Sequence, residues 1–287
     1  VAMTFPDLEP VSGEAVVKVN NTGKAPVSTF PIRDGENGED LHLEAGVYFQ
    51  VDIKDISLDL FGQTLRGDFS FEEVTSPGAD GLFNTTDDEK TLRATVADLE
   101  LFLGDDGGTQ GGENDSDDIG VRIEGGTASF VITNRGLAGI FTTSAKAYFT
   151  RGDGISVDQV TVRINNTNEL VDEVFRVGEI EKTLSLRAGP YLSVEIAGFE
   201  VTLGEQIIRG DFTFAYETNL GADNAKGGTG DAADSSKTTI EVANALISLS
   251  NKSGREFVRA ESTEDPSRLS IIRNSDESKG GIVGIIS

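Results

Sequence analysis

Cysteine is absent from the 287 residues, tryptophan is absent too, and there is one histidine and one methionine. Without cysteine there are no disulfides, no thiol catalysis and no cysteine-ligated zinc, and the compartment cannot be read from redox chemistry. Without tryptophan, the stacking platforms typical of sugar subsites are missing. Basic residues are also scarce: 24 Lys+Arg against 49 Asp+Glu give a formal charge of −25. So acidic a surface repels nucleic acid and anionic lipid, and neither is an expected partner. No basic-plus-apolar leader opens the sequence, and no apolar run is long enough to cross a bilayer, so membrane insertion is not expected.

What is present is a repeat. Leu41-His-Leu-Glu-Ala-Gly46 returns as Leu184-Ser-Leu-Arg-Ala-Gly189, and Arg66-Gly-Asp-Phe69 as Arg209-Gly-Asp-Phe212, both offset by 143 (184 − 41 and 209 − 66). Val17-Lys-Val-Asn-Asn-Thr22 returns as Val162-Arg-Ile-Asn-Asn-Thr167, and Gly136-Leu-Ala-Gly-Ile140 as Gly281-Ile-Val-Gly-Ile285, both offset by 145 (162 − 17 and 281 − 136). The matches divide the chain into residues 1–144 and 145–287, and a third copy could follow in phase. The chain therefore reads as two units of a longer array, and tandem modules usually build length or valency rather than one active site.

Two-residue alternation runs through both copies, as in Val47-Tyr-Phe-Gln-Val-Asp-Ile53, Leu65-Arg-Gly-Asp-Phe-Ser-Phe71 and Ile208-Arg-Gly-Asp-Phe-Thr-Phe214. This predicts an all-β chain of roughly ten short strands per copy, with alternate side chains on a buried face. Lys54-Asp55, Gly62-Gln63 and Gly204-Glu205 read as turns between strands. Links this short favour hairpins and an antiparallel β-sandwich, with a β-solenoid as the alternative.

The acidic loops are the candidate binding sites. Asp80, Asp87 and Asp88 fall in one; Asp105, Asp106, Asp115, Asp117 and Asp118 in a glycine-rich second; Asp223 and Asp231 in the second copy's counterpart of the first. Asp34, Glu36, Glu39 and Asp40 form a further cluster. Closely spaced carboxylates with Gly and Asn between them are what calcium needs, since it takes six to eight oxygens from a backbone able to bend around it. The competing reading is a solvated acidic loop. No stretch has the EF-hand spacing.

Of three Arg-Gly-Asp triplets, those at Arg66 and Arg209 fall inside predicted strands, where the glycine permits a bulge or a close strand contact. Only Arg151-Gly-Asp153, at the junction between copies, reads as an exposed loop. The Asn-Asn-Thr phrases at Asn20 and Asn165 match glycosylation sequons, and read better as turns after strands. His42 has Ser185 as its counterpart, and no second histidine, thiol or serine–base pair accompanies it, so an enzyme is not expected. The second copy lacks the acidic insertion and carries Lys252, Arg255, Arg259 and Arg268 in the corresponding region, which hints at charge pairing between copies, although loop drift between the copies is the preferred reading.

The tandem copies, the Asp-Gly loop at 80–88, the phrases around Arg66 and Arg209 and the Val-x-Val/Ile-Asn-Asn-Thr openings resemble the repeat modules of giant, acidic, cysteine-free bacterial surface proteins such as large repetitive adhesins. The resemblance is one of style rather than of a specific motif, and the nonapeptide Gly-Asp repeats of toxin-type β-rolls are missing. It implies an extracellular or cell-surface array, stiffened by calcium, that forms a stalk, surface layer or filament. The partners it implies are neighbouring copies of the repeat. The alternative function is adhesion to a carbohydrate or protein, with surface glycans as ligand.

Overall fold

The computed structural model describes residues 12–21, 47–60, 63–105, 119–150, 153–177, 180–221, 234–251, 253–262, 266–274 and 281–285. Among these there is no helix. Fifteen strands form: β1 (Ser12–Asn20), β2 (Val47–Leu60), β3 (Gln63–Ser76), β4 (Glu89–Asp105), β5 (Ile119–Thr133), β6 (Gly136–Thr150), β7 (Asp153–Asn165), β8 (Val171–Val177), β9 (Ile180–Leu186), β10 (Tyr191–Leu203), β11 (Gln206–Asn219), β12 (Ser235–Ser250), β13 (Glu256–Glu261), β14 (Ser267–Asn274) and β15 (Gly281–Ile285).

The chain is all-β and antiparallel. Thirteen strands make one sheet in the order β1-β2-β3-β4-β5-β6-β7-β10-β11-β12-β14-β15, with β13 also paired to β12. It does not close into a barrel: among the described residues β1 and β15 end the strand order, and the short β13 has β12 as its one neighbour. β8 and β9 form a separate hairpin. That hairpin lies across β3 to β6 and supplies a second layer. All described pairs are antiparallel, as in a sandwich and unlike the parallel coils of a solenoid.

The repeat maps onto equivalent places in this order. The phrases on β1, β3 and β6 return on β7, β11 and β15. The 144/145 boundary falls within β6, and the sheet runs through it from β6 into β7. The counterpart of β5 is broken in two: β13 pairs one half of β12 and β14 the other.

The described strands are longer than the alternation suggested, for a physical reason. Lys54-Asp55 is not a turn but a bulge inside β2, where Asp55 has φ 51° and the register shifts between Ile53 and Ile56. Similar shifts occur at the same height on β3–β4, β4–β5, β5–β6, β6–β7, β10–β11 and β11–β12. A line of bulges thus runs from β2 to β12 at right angles to the strands, passing β7 and β10, which stay in register with each other. Bulges and turns use the same backbone signals, because both need left-handed or tightly bent residues.

Alternation gives the sheet two unlike faces. Gln50, Asp52, Ser70, Glu72, Arg93, Thr95, Ser129 and Val131 lie on the face that receives the hairpin, as their cross-strand pairing requires. There, Leu184 and Leu186 bury against Val131 and Ala138, with Ile140 and Val171 packed alongside. The opposite face carries Val17, Val19, Phe49, Phe71, Ile132 and Phe214, all exposed. Among the described strands none packs as a second layer on this apolar face, and Phe49, Phe71 and Phe214 are exposed there while Ala128 is buried.

Candidate functional site

The loop joining β3 to β4 holds three of the predicted calcium ligands. Each carboxylate there serves the backbone. Asp80 Oδ1 accepts the Leu82 N–H at 2.8 Å, and Asp88 Oδ2 accepts the Asn84 N–H at 2.6 Å. The Thr85 hydroxyl donates to Asp87 Oδ1 at 2.7 Å and lies 3.1 Å from Asp88 Oδ1. That hydroxyl, helped by backbone N–H groups and opposed by slight desolvation, holds the Asp87 carboxyl below its usual range. Among the described residues no three acidic or imidazole side chains converge as a metal site. Asp105 is the last residue of β4. Asp106, Asp115, Asp117, Asp118, Asp223 and Asp231 lie outside the described residues, as do the cluster from Asp34 to Asp40 and His42.

The repeated Arg-Gly-Asp triplets sit in strands, on the line of bulges. A Cβ on Gly67 would stand 3.1 Å from the Ala97 carbonyl oxygen, so only glycine fits the approach of β4 without a shift. The aspartate then clamps the bulge next door. Asp68 Oδ1 accepts the N–H of Asp55 at 2.8 Å. In the second copy Asp211 Oδ1 accepts the N–H of Gly198, at φ 63°, at 2.7 Å, and Asp211 Oδ2 accepts from Asn244 Nδ2 at 2.5 Å. Asp55 and Gly198 share the 143-residue offset of the two aspartates (198 − 55 and 211 − 68). These triplets are built into the sheet rather than displayed on loops. Arg151 and Gly152 lie outside the described residues; Asp153 opens β7.

The second Asn-Asn-Thr phrase is a structural turn. Asn165 is 0% exposed. Its Nδ2 donates to the carbonyls of Glu169 (2.8 Å) and Arg187 (2.9 Å), and its Oδ1 accepts the Thr167 N–H (2.9 Å) and hydroxyl (2.7 Å). It ties together the two feet of the β8–β9 hairpin, and an amide so engaged is closed to a glycosyl donor. Asn166 in turn takes the Leu137 N–H at 2.6 Å and fixes the start of β6.

The hairpin is also held by charge. Arg93 reaches Glu72 at 3.0 Å and Glu173, on β8, at 2.7 Å. Burial works against the Arg93 charge, but the two carboxylates outweigh it and raise the guanidinium above its ordinary range. Arg135 bridges Glu89 at 3.1 Å and Glu169, on the hairpin's approach, which raises its guanidinium in the same sense. Nearer the β1 edge, buried Asp52 is satisfied by Gln50 Nε2 (2.7 Å), the Ser70 hydroxyl (2.6 Å) and Lys18 (3.5 Å).

Sequence reasoning missed three surfaces. One is the open apolar face. The second is the outer side of β1 and of β15, the ends of the described strand order. The third is a concavity of about 400 Å³ lined by Arg187, Pro190, Glu217, Lys237 and Ile272, among others, beside the hairpin's return into the sheet. Alternation marked the first, while the edges follow only from strand order. Of the basic residues that hinted at pairing between copies, Arg259 meets Glu256 and Glu261, and Arg268 meets Glu241, all within this chain. No family model, curated protein or solved structure matches this chain.

Proposed function

We propose that this chain comprises two tandem modules of about 143 residues from an extracellular or cell-surface structural protein, forming part of a stalk, surface layer or filament. One observation carries the reading. The sheet continues across the repeat junction through the β6–β7 pair, and the hairpin that follows β7 straps back over β3 to β6. Residues of the second copy thereby complete the layer over the first. Such an arrangement transmits load across a junction instead of hinging there. It also suits a role in which copies are added one after another.

Calcium belongs to this proposal through the acid content of the loops, where Asp80, Asp87 and Asp88 supply the right kind of oxygen donor. A second reading, adhesion to a carbohydrate or protein, draws on the exposed Phe49, Phe71, Phe214 and Tyr216 of the open face. The test is antibody labelling of intact producing cells, alongside a glycan array and thermal melts in calcium and in EDTA. Surface labelling with no glycan bound supports the structural role. Absence from the surface overturns it, and tight binding of one glycan class transfers the case to adhesion. A raised melting midpoint with stoichiometric calcium supports the cation, since a ligand held only by the folded state stabilises it by mass action; identical melts remove calcium from the account.

A further inference from the structure

Among the described residues β1 and β15 each have a strand on one side only, and each is a copy of a strand that pairs on both sides inside the sheet. β1 carries the phrase Val17-Lys-Val-Asn20 that returns on β7 as Val162-Arg-Ile-Asn165, and β15 carries Gly281-Ile-Val-Gly-Ile285, which repeats Gly136-Leu-Ala-Gly-Ile140 of β6. Within the chain β6 and β7 pair antiparallel, with Ala138 opposite Asn165, Gly139 opposite Ile164 and Ile140 opposite Arg163. We propose that the β15 edge of one chain pairs with the β1 edge of a second copy in this same register. The proposal rests on the structural reading above and names its partner and contact surface.

Applying the 145-residue offset to both strands places Val283 opposite Asn20, Gly284 opposite Val19, and Ile285 opposite Lys18. The surroundings of β1 already copy those of β7. Lys18 pairs with Asp52 of β2 at 3.5 Å as Arg163 pairs with Glu195 of β10 at 2.5 Å. Asn20 is buried, like Asn165. On the other side, β15 has no charged residue, proline or bulge to discourage pairing. Its side chains stand open where their counterparts are covered: Val283 is 64% exposed, whereas Ala138 at the equivalent place is 1% exposed. Because the joined surfaces differ, the contact is heterologous. It propagates as an open stack unless the rotation per copy closes a ring.

The native chain has no cysteine, so a disulfide reports the register cleanly. Facing residues of antiparallel strands have Cα atoms about 4.5–5.5 Å apart, inside the range a disulfide spans. The experiment oxidises the purified full chain carrying Ile285→Cys with Lys18→Cys, beside Ile285→Cys with Val16→Cys as the out-of-register control, and each single variant. The in-register pair is expected to give a ladder of covalent oligomers, the single variants nothing beyond dimers, and the control at least tenfold less ladder. In parallel, sedimentation of the cysteine-free chain should show concentration-dependent growth, which Val283→Asp with Ile285→Asp weakens at least tenfold without lowering the melting midpoint by more than a few degrees. An equal ladder in both cysteine pairs, no ladder at all, or growth unchanged by the aspartates overturns the pairing. A chain that stays monomeric yet labels the cell surface defeats this inference alone and leaves the structural role standing.

Discussion

Leu184→Ala should loosen the hairpin without unfolding the sheet. Leu184 is 1% exposed, at the centre of the cluster with Leu186, Val131 and Ala138. Truncating a buried leucine costs about 2–5 kcal/mol, the lower part applying where neighbours can collapse into the gap. The hairpin shares no ladder with the main sheet and lies at its surface, so a cost of about 2–4 kcal/mol is the reasonable range. At about 1.4 kcal/mol per tenfold, this favours hairpin opening by roughly 30- to 1,000-fold. Native-state hydrogen exchange reads it directly, because amides of a locally opening unit report that unit's own free energy. Protection in 171–186 should fall by that factor while amides of β10 and β11 keep theirs. Equal loss throughout the chain would mean that hairpin and sheet unfold as one unit, and unchanged protection in 171–186 would mean that Leu184 does not hold the strap. Either result refutes the reasoning.

Asp211→Ala removes the acceptor for a part-buried donor on β10 and an exposed one on β12 and should destabilise by about 1–2 kcal/mol in denaturant titrations, since a typical net hydrogen bond contributes about 0.5–1.5 kcal/mol. Asp68→Ala, with one such bond described, should cost less; the reverse order would count against the clamp. Thr85→Val should raise the Asp87 titration midpoint, followed by carboxyl-carbon NMR, and an unchanged midpoint would contradict the assigned cause. The sign follows from the lowered folded-state value. The stabilisation is present above the unfolded carboxylate range near pH ~3.9 and is lost as pH falls through the folded midpoint below it.

Local pattern made much of this legible. The alternation of Val47–Ile53 and Leu65–Phe71 gave the β class, the short links gave antiparallel pairing, and the glycines of the in-strand triplets announced bulges. The partners of Asp68 and Asp211 were also within reach, since each aspartate follows its left-handed residue by 13 positions (68 − 55 and 211 − 198). Strand length was not legible, because Lys54-Asp55 carries the same signal whether the chain reverses or only kinks. Nor was the hairpin's position. Nothing in Val171–Leu186 says that Leu184 will pack on β5 and β6 rather than on the strands it adjoins in sequence, because that contact depends on where the sheet has already placed Val131 and Ala138. The same tertiary choice decided which face was covered, and left Phe49 and Phe71 in the open.

The row of bulges has a mechanical meaning. A bulge bends its strand, and bends placed at one height on successive strands fold the sheet along a line that runs the length of the strand stack. Sheet metal pressed into an angle profile resists flexing along its crease far better than a flat strip, because material is moved away from the neutral axis. Where the described hairpin does not cover it, the sheet is one layer thick, thin for its breadth, and would otherwise curl or flap. Creased by Asp55, Gly67 and Asp98 in the first copy and by Gly198, Gly210 and Asn244 in the second, it gains bending stiffness along the direction in which further strands would be added.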